Sequence, residues 1–490
     1  MAPPQLSPPI HTISNVRLHN LDPNSTPTTH DLTISHHHQT LQSITPHSPS
    51  PSPSTTRTTT PSSPRPPGKE KEPPLTLPTL THPHIHLDKA YIHNSPNNTH
   101  LHPETGTFHE ALTLTTTAKK AFTTPDLHAR GSQLLAESLS AGVTALRAFA
   151  EVDHTVAHTT LTTAITLKQA WADTLQIQLV AFAQDPLFST EHGTVNRELL
   201  DSALEIYPEI DVIGSTPYVE ADIESAKRNI DWAIARALDL DKHVDFHLDY
   251  NLDPGAEPLI WYVLRALREQ GWNGRAKGGK RVMVGHCTRL TLFGDGEWER
   301  LGREIGSGGE RLPVSFVGLP SSDLYMACPP PGGSSSLAGE GGDRVRGTLR
   351  VPELIRKYGL DVVMGVNNVG NAFTPWGSAD PLTLACLGVG VYQAGTRGDA
   401  ELLYECVSTR ARAAIGLGGG EGLRVKEGER ADLLLFFDVD ESGCGISMPR
   451  RSVAEVVWDP PGRISRAVVV GGRLKRGRWD PWGDSVFGFA

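Results

Sequence analysis

From Leu80 onward the chain alternates short, almost wholly apolar runs with longer segments whose apolar residues recur at helical spacing. The runs are Leu80 to His86, Val143 to Phe149, Ile177 to Ala183, Ile210 to Ile213, Val244 to Leu248, Val282 to His286, Val314 to Leu319 and Val362 to Val366. Between them, segments such as Leu134 to Ala141, Leu161 to Ala172, Ile230 to Leu238 and Leu259 to Leu267 carry the period of an amphipathic helix. A strand that is apolar on both sides must be covered on both faces, which is the situation of a parallel sheet flanked by helices. Eight such repeats predict a protein of the α/β class, a closed (β/α)8 barrel. Two more helices are predicted at Pro381 to Val391 and Asp399 to Ile415.

The two ends of the chain read differently. His11 to Leu18 and Asp31 to Ser35 alternate apolar and polar residues, as do Leu433 to Asp438, Val453 to Trp458 and Ala467 to Val470. Alternation with period two is the mark of half-buried strands. A small composite β domain is therefore expected, with residues 1–79 giving its first part, 417–490 its second, and the barrel lying between at 80–416. Within the first part, Ser48 to Pro67 is Ser, Pro, Thr and Arg with almost nothing apolar. Such a stretch cannot bury enough surface to offset its ordering entropy, so a disordered loop is expected. Glycine and proline mark further loops at Gly306 to Gly309 and Pro329 to Gly342.

Composition narrows the function classes. At 490 residues the chain has room for a barrel and a smaller domain, and 38% hydrophobic with 20% charged residues is ordinary for a globular protein. A formal charge of −10 argues against nucleic-acid or membrane-surface binding, which need clustered Lys and Arg. The start, MAPPQLSPPI, lacks the charged and apolar regions of a secretory signal. The five cysteines are widely spaced without a CxxC pair, as expected of reduced residues in a cytoplasmic protein. The expected partner is a small-molecule substrate; the sequence leaves homo-oligomerisation open.

The candidate chemistry comes from four histidines. His84 and His86 end the first run, and on a strand their spacing puts both imidazoles on one face. His247 lies at the end of the fifth run, in VDFHLDY, and His286 ends the sixth, in VMVGHCTRL. Any one of them, taken singly, reads rather as a core histidine with a satisfied hydrogen bond. Catalytic groups of a (β/α)8 barrel sit at the C-terminal ends of its strands. Four histidines falling there point to one divalent ion, Zn or Fe, with an open position for water.

Taken together, these residues resemble the amidohydrolase superfamily, and within it the cytosine deaminase branch. The matching pieces include LPTLTHPHIHLDKAY, LQIQLVAFAQDPLF, VDFHLDYNLDP, VMVGHCTRL, VSFVGLPSSDLYM and VVMGVNNVGNAFTPWGSADPLTLA, and they sample residues 75 to about 440. The resemblance implies metal-dependent hydrolysis of a C–N bond in a small cyclic or heteroaromatic substrate. Carried over residue by residue, it makes His84, His86 and His247 metal ligands and His286 the histidine that polarises the bond under attack. Gln184, in AFAQ, becomes the substrate-reading amide, with a donor and an acceptor to offer a ring edge.

Two departures stand against these matches. The family's acid/base glutamate falls on Tyr250, in HLDY, and its strand-8 aspartate falls on Asn367, in GVNNVGN. Tyrosine titrates near 10 and asparagine not at all, so the usual proton path is interrupted at both stations. Asn367 can still offer a carbonyl oxygen to the metal, and Tyr250 a hydrogen bond to a developing oxyanion. A replacement base would have to come from Asp88, Asp249, Asp253 or Glu151, with Asp88 alternatively orienting a ligand histidine. Lys89 either holds an anionic substrate group or pairs with Asp88. Asn368, Asn371 and Trp376 follow the eighth run and read as pocket lining or as turn chemistry. Tyr218, where the family usually carries a histidine, is expected to line the pocket. The alternative function is a catalytically inactive barrel that binds a small molecule or a partner.

Overall fold

The computed structural model describes residues 2–19, 28–48, 72–306, 310–327, 346–475 and 486–489. Apart from Ser48 and Gly306, the expected loops at Ser48 to Pro67, Gly306 to Gly309 and Pro329 to Gly342 lie outside the described residues. The chain divides into two compact units, one built on 80–139 and 143–421, the other on 4–79, 140–142 and 422–490.

The first unit is the (β/α)8 barrel. Its strands are β1 (Leu80–His86), β2 (Val143–Glu151), β3 (Gln176–Ala183), β4 (Ile210–Ser215), β5 (His243–Leu248), β6 (Val282–His286), β7 (Val314–Gly318) and β8 (Val362–Met364). Each pairs in parallel with the next in sequence. Every residue of β1, β2 and β5 to β8 is buried, which is why they read as continuous apolar runs rather than as alternation. The ring closes just beyond β8. Ile85 bridges Asn367 in parallel, His86 N donates to Asn367 O at 2.9 Å, and Asn367 N donates to His84 O at 3.2 Å. The residue that closes the barrel therefore stands beside the first two histidines.

The helices follow the same logic. In Ile223–Leu240, Asp222 caps the first turn by accepting from Ser225 N, and Asp241 ends the helix with a left-handed φ of 52°. Ile230, Ala233, Ile234 and Ala237, spaced three or four apart, are its buried stripe. Full burial of such an Ile side chain contributes about 1.5–3 kcal/mol.

In the second unit, Leu6–Leu18 is the central strand of an eight-stranded sheet that also holds Thr29–Ser35, Thr40–Pro46, Leu75–Pro78, Leu433–Phe436 and Arg466–Val470. Both chain ends thus build one sheet, and its core gathers Ile10, Ile13, Val16, Leu32, Leu433 and Val469.

Two expectations are corrected. Val453–Trp458 is a helix rather than a strand, because Ser452 accepts from Glu455 N in an N-cap and the alternating pattern spans less than two turns. The single helix expected over Asp399 to Ile415 is two, Arg397–Glu405 and Thr409–Ala414, broken where Ser408 leaves helical geometry at ψ −103°. No helix among the described residues is long and apolar enough to cross a membrane. None of the cysteines described, Cys287, Cys386, Cys406 and Cys444, forms a disulfide.

Candidate metal and catalytic site

Three imidazoles meet at the C-terminal mouth of the barrel. The strand that supplies two of them carries Pro83, which cannot donate to the ladder, and its pairing with β2 shifts register between His82 and Ile85. His82 bonds Ser138 Oγ at 3.1 Å, whereas His84 and His86 meet His247 from β5. One ring nitrogen from each of His84, His86 and His247 lies within 4.8 Å of the other two, so these three residues could hold a metal ion. Nε2 of His86 and Nε2 of His247 are 3.1 Å apart. Both nitrogens of His84, Nδ1 of His86 and Nδ1 of His247 are buried without a hydrogen-bond partner. Burial, reinforced by neighbouring positive groups, holds all three imidazoles well below their ordinary pKa. They are neutral, with lone pairs available to an ion. Asn367 Oδ1 is likewise buried without a partner. Behind His84, Asp245 Oδ1 lies 3.8 Å from Nδ1, while Asp245 is also ion-paired with the buried Arg147 at 2.9 Å.

His286 turns out of β6 with a left-handed φ of 66°. Its Nδ1 is 2.8 Å from Asp323 Oδ1, and the other oxygen of Asp323 accepts from Leu319 N and Thr348 Oγ1, each at 3.0 Å. A carboxylate on Nδ1 fixes the proton there and leaves Nε2 as the nitrogen available for chemistry. The Tyr250 ring stacks on His286, with centroids 3.9 Å apart and planes at 27°. Its hydroxyl donates to Ser322 O at 3.4 Å.

Lys89 is almost wholly buried and ion-paired with Glu151 at 2.6 Å rather than with Asp88. It also donates to Gln184 Oε1 at 2.8 Å. Glu151 pairs with Lys119 at 2.8 Å as well, and Lys119 further pairs with Asp153. Burial would raise the Glu151 carboxyl, but the two ammonium groups outweigh it and hold the pKa down to about 2. Asp88 lies against the same cluster, where its Oδ2 accepts from Glu151 N at 2.8 Å. Burial and the Glu151 charge push it up to about 6.

A narrow cavity of about 20 Å³, room for about one water as the side chains stand, lies over His86, His247 and His286. His86, His247, Asn367, His286, Tyr250, Gln184, Asn368 and Lys89 all border it, so eight of the residues singled out from sequence are brought together. Tyr218 joins them, as expected, beside Phe108 and Phe373. Trp376 does not: it is half exposed and packs on Tyr325 at 5.0 Å. Asp88 stands one layer back. Asp249 is occupied, its oxygens accepting from Leu259 N and Ile260 N, while Asp253 caps its own exposed turn at Gly255 N. Neither carboxylate borders the cavity. Sequence reasoning missed Asp323, although it stands five residues past β7 in the quoted stretch VSFVGLPSSDLYM. It also missed Phe108 and Phe373, for which no local signal exists.

The fold and this mouth define a (β/α)8 barrel whose C-terminal end gathers a histidine trio, a carboxylate-backed fourth histidine and a polar cavity roofed by aromatic rings. Solved structures share that fold. One is 5-methylcytosine deaminase from Klebsiella pneumoniae liganded with 5-fluorocytosine, at TM-score 0.71 and 20% identity, covering 96% of this chain and 98% of that one. Another is N-isopropylammelide isopropylaminohydrolase from Burkholderia multivorans, at TM-score 0.64 and 20% identity, covering 94% and 98%. Guanine deaminase from C. acetobutylicum with bound guanine matches at TM-score 0.57 and 13% identity over 95% and 99%. No family model matches the chain, and no curated protein matches it by sequence.

Proposed function

We propose that the chain is a metal-dependent amidohydrolase that hydrolyses a C–N bond of a small heterocycle, by deamination or by opening a cyclic amide or amidine. The observation that carries this reading is the histidine trio, neutral, convergent and without other partners on four of its ring nitrogens. These residues fit one divalent ion: imidazole suits zinc and iron alike, and Asn367 Oδ1 adds a neutral oxygen. Bound there, the ion supplies Lewis acidity toward water and substrate. Asp245 Oδ1 lies 3.8 Å behind His84 Nδ1, a carboxylate close to that ring.

The proton work falls to His286. Among the described residues no carboxylate borders the cavity, and His286 is the titratable group best placed to stand in for the missing glutamate. Nε2 of His286, with Nδ1 held by Asp323, takes a proton from the attacking water and returns it to the leaving nitrogen. Tyr250 holds the imidazole by its ring, while Phe108, Phe373 and Tyr218 exclude water above the site. The solved structures that share the fold are named for deaminases and an aminohydrolase, which supports the same reaction class and gives the inactive-barrel alternative no support. A cytoplasmic location belongs to the same reading, in keeping with described cysteines that form no disulfide.

Elemental analysis of the purified chain beside His84→Ala and His247→Ala, followed by a hydrolysis screen of cyclic amides, amidines and ureas, tests the proposal. Near-stoichiometric zinc or iron, lost in both variants, with turnover of at least one heterocycle, is the expected result. A chain that stays folded, takes up no divalent ion and turns over nothing overturns it.

A further inference from the structure

The hydrogen-bond network around the cavity decides which way its amides point. Lys89 has donors and no acceptor, so the atom of Gln184 that faces it at 2.8 Å must be the carbonyl oxygen. The NH2 of Gln184 is then the end left for Tyr218 and the cavity. A second chain of bonds fixes Asn368. Asn371 Oδ1 accepts from Phe373 N at 3.0 Å and Thr374 N at 3.2 Å, which turns its NH2 toward Lys89 O at 3.0 Å and Asn368 Oδ1 at 2.8 Å. With its oxygen engaged, Asn368 also has its NH2 left to offer. Lys89 itself spends donors on Glu151 and Gln184, and an ammonium has a third for the cavity it borders.

Gln184, Asn368 and Lys89 thus all present N–H groups, and the counter-charge of Lys89 sits behind it on the 1%-exposed Glu151. The rest of the wall is Asn367 and aromatic rings, whose faces suit a planar ring. We infer that the substrate is a single planar ring that presents acceptors on its edge and carries negative charge, such as an ionised imide, ureide or hydroxytriazine, rather than an amino-substituted ring that must donate. This rests on the amidohydrolase reading and adds the substrate class to it.

Barbiturate, an anionic ring with three oxo acceptors, and cytosine, a neutral ring of similar size bearing an amino donor, serve as probes. Their dissociation constants for the metal-bearing full chain are measured by calorimetry. A charge-assisted hydrogen bond contributes about 1.5–3 kcal/mol, so barbiturate should bind about tenfold or more tightly than cytosine. Lys89→Met should remove most of that preference. It leaves Glu151 paired with Lys119 at 2.8 Å, so the carboxylate is not orphaned. Asn368→Asp keeps the shape and the bond from Asn371, replaces the donor with an acceptor, and should move the ratio toward cytosine by a similar factor, independently of how the lysine variant folds. Cytosine binding as tightly as barbiturate, or a ratio unmoved in Asn368→Asp, overturns the inference. Metal content and turnover are scored separately. A chain that holds metal, hydrolyses a ring and prefers cytosine loses only the substrate class; one that prefers barbiturate but holds no metal keeps the donor-lined cavity and loses the amidohydrolase reading.

Discussion

Nδ1 of His286 and Oδ1 of Asp323 stand 2.8 Å apart, and this contact sets which nitrogen of the imidazole faces the cavity. An amide in place of the carboxylate would offer its NH2 to Nδ1 and force the ring proton onto Nε2, the wrong tautomer for a base. Asp323→Asn should therefore lower kcat by on the order of 100-fold or more with little change in KM, as expected when a positioning carboxylate behind a catalytic histidine is lost. The bonds from Leu319 N and Thr348 Oγ1 can still reach an amide oxygen, so the melting temperature should move little. A variant with unchanged kcat would remove His286 from the proton path.

Tyr250 stands where the resemblance places a glutamate, and its ring packs on the imidazole of His286. The ring lies 3.9 Å from the imidazole of His286 and 5.6 Å from both Phe108 and Tyr218. Tyr250→Phe keeps these contacts and should leave kcat within about threefold, whereas Tyr250→Ala frees the imidazole and should lower kcat by about tenfold or more. Equal losses in both variants would mean that the hydroxyl takes part in the chemistry.

The barrel was legible because six of its eight strands are buried throughout and read as mostly apolar runs. Val282–His286 and Leu80–His86 match their runs end to end, and the others agree within two residues. The histidine trio was legible for a related reason: strand ends are places where polar residues interrupt such runs. Orientation was not. Gln184 reads as an amide with a donor and an acceptor, and only the arrival of Lys89 from β1's end shows that the acceptor is spent. Phe108 reaches the cavity from the helix Phe108–Lys119, between the first two strands, and no periodicity announces that. Val453–Trp458 failed on local grounds: six residues cannot separate period two from period 3.6, and Ser452 three residues ahead of Glu455 was the signal that outweighed alternation.

That cap can be tested by itself. Ser452 Oγ accepts from Glu455 N at 3.3 Å, and the Glu455 carboxylate reaches back to Arg451 N at 2.5 Å. Ser452→Ala should destabilise the chain by about 1 kcal/mol, with Ser452→Gly costing less. Denaturant unfolding followed by circular dichroism measures it, and an unaffected midpoint in both would mean that the helix stands without its cap.

Acid should weaken the fold through His243, at the start of β5. Its pKa is pushed down to about 3 by burial and by the charges of Arg147, Lys280 and Arg281, and its Nδ1 accepts from Arg281 N at 3.0 Å. An unfolded chain would titrate the same imidazole near 6.5. Between those two values the unfolded state binds a proton that the folded state refuses, so stability falls as pH drops through the window and is indifferent to this group above it. The slope is about 1.4 kcal/mol per pH unit for one such group. His243→Asn keeps an acceptor for Arg281 N and does not titrate, so it should remove that share of the slope while leaving stability at pH 8 nearly as it was. Unfolding free energies at pH 5 and pH 8 for both proteins decide the matter: parallel pH dependences would mean that His243 is protonated in the folded chain and that its buried neutral state is wrong.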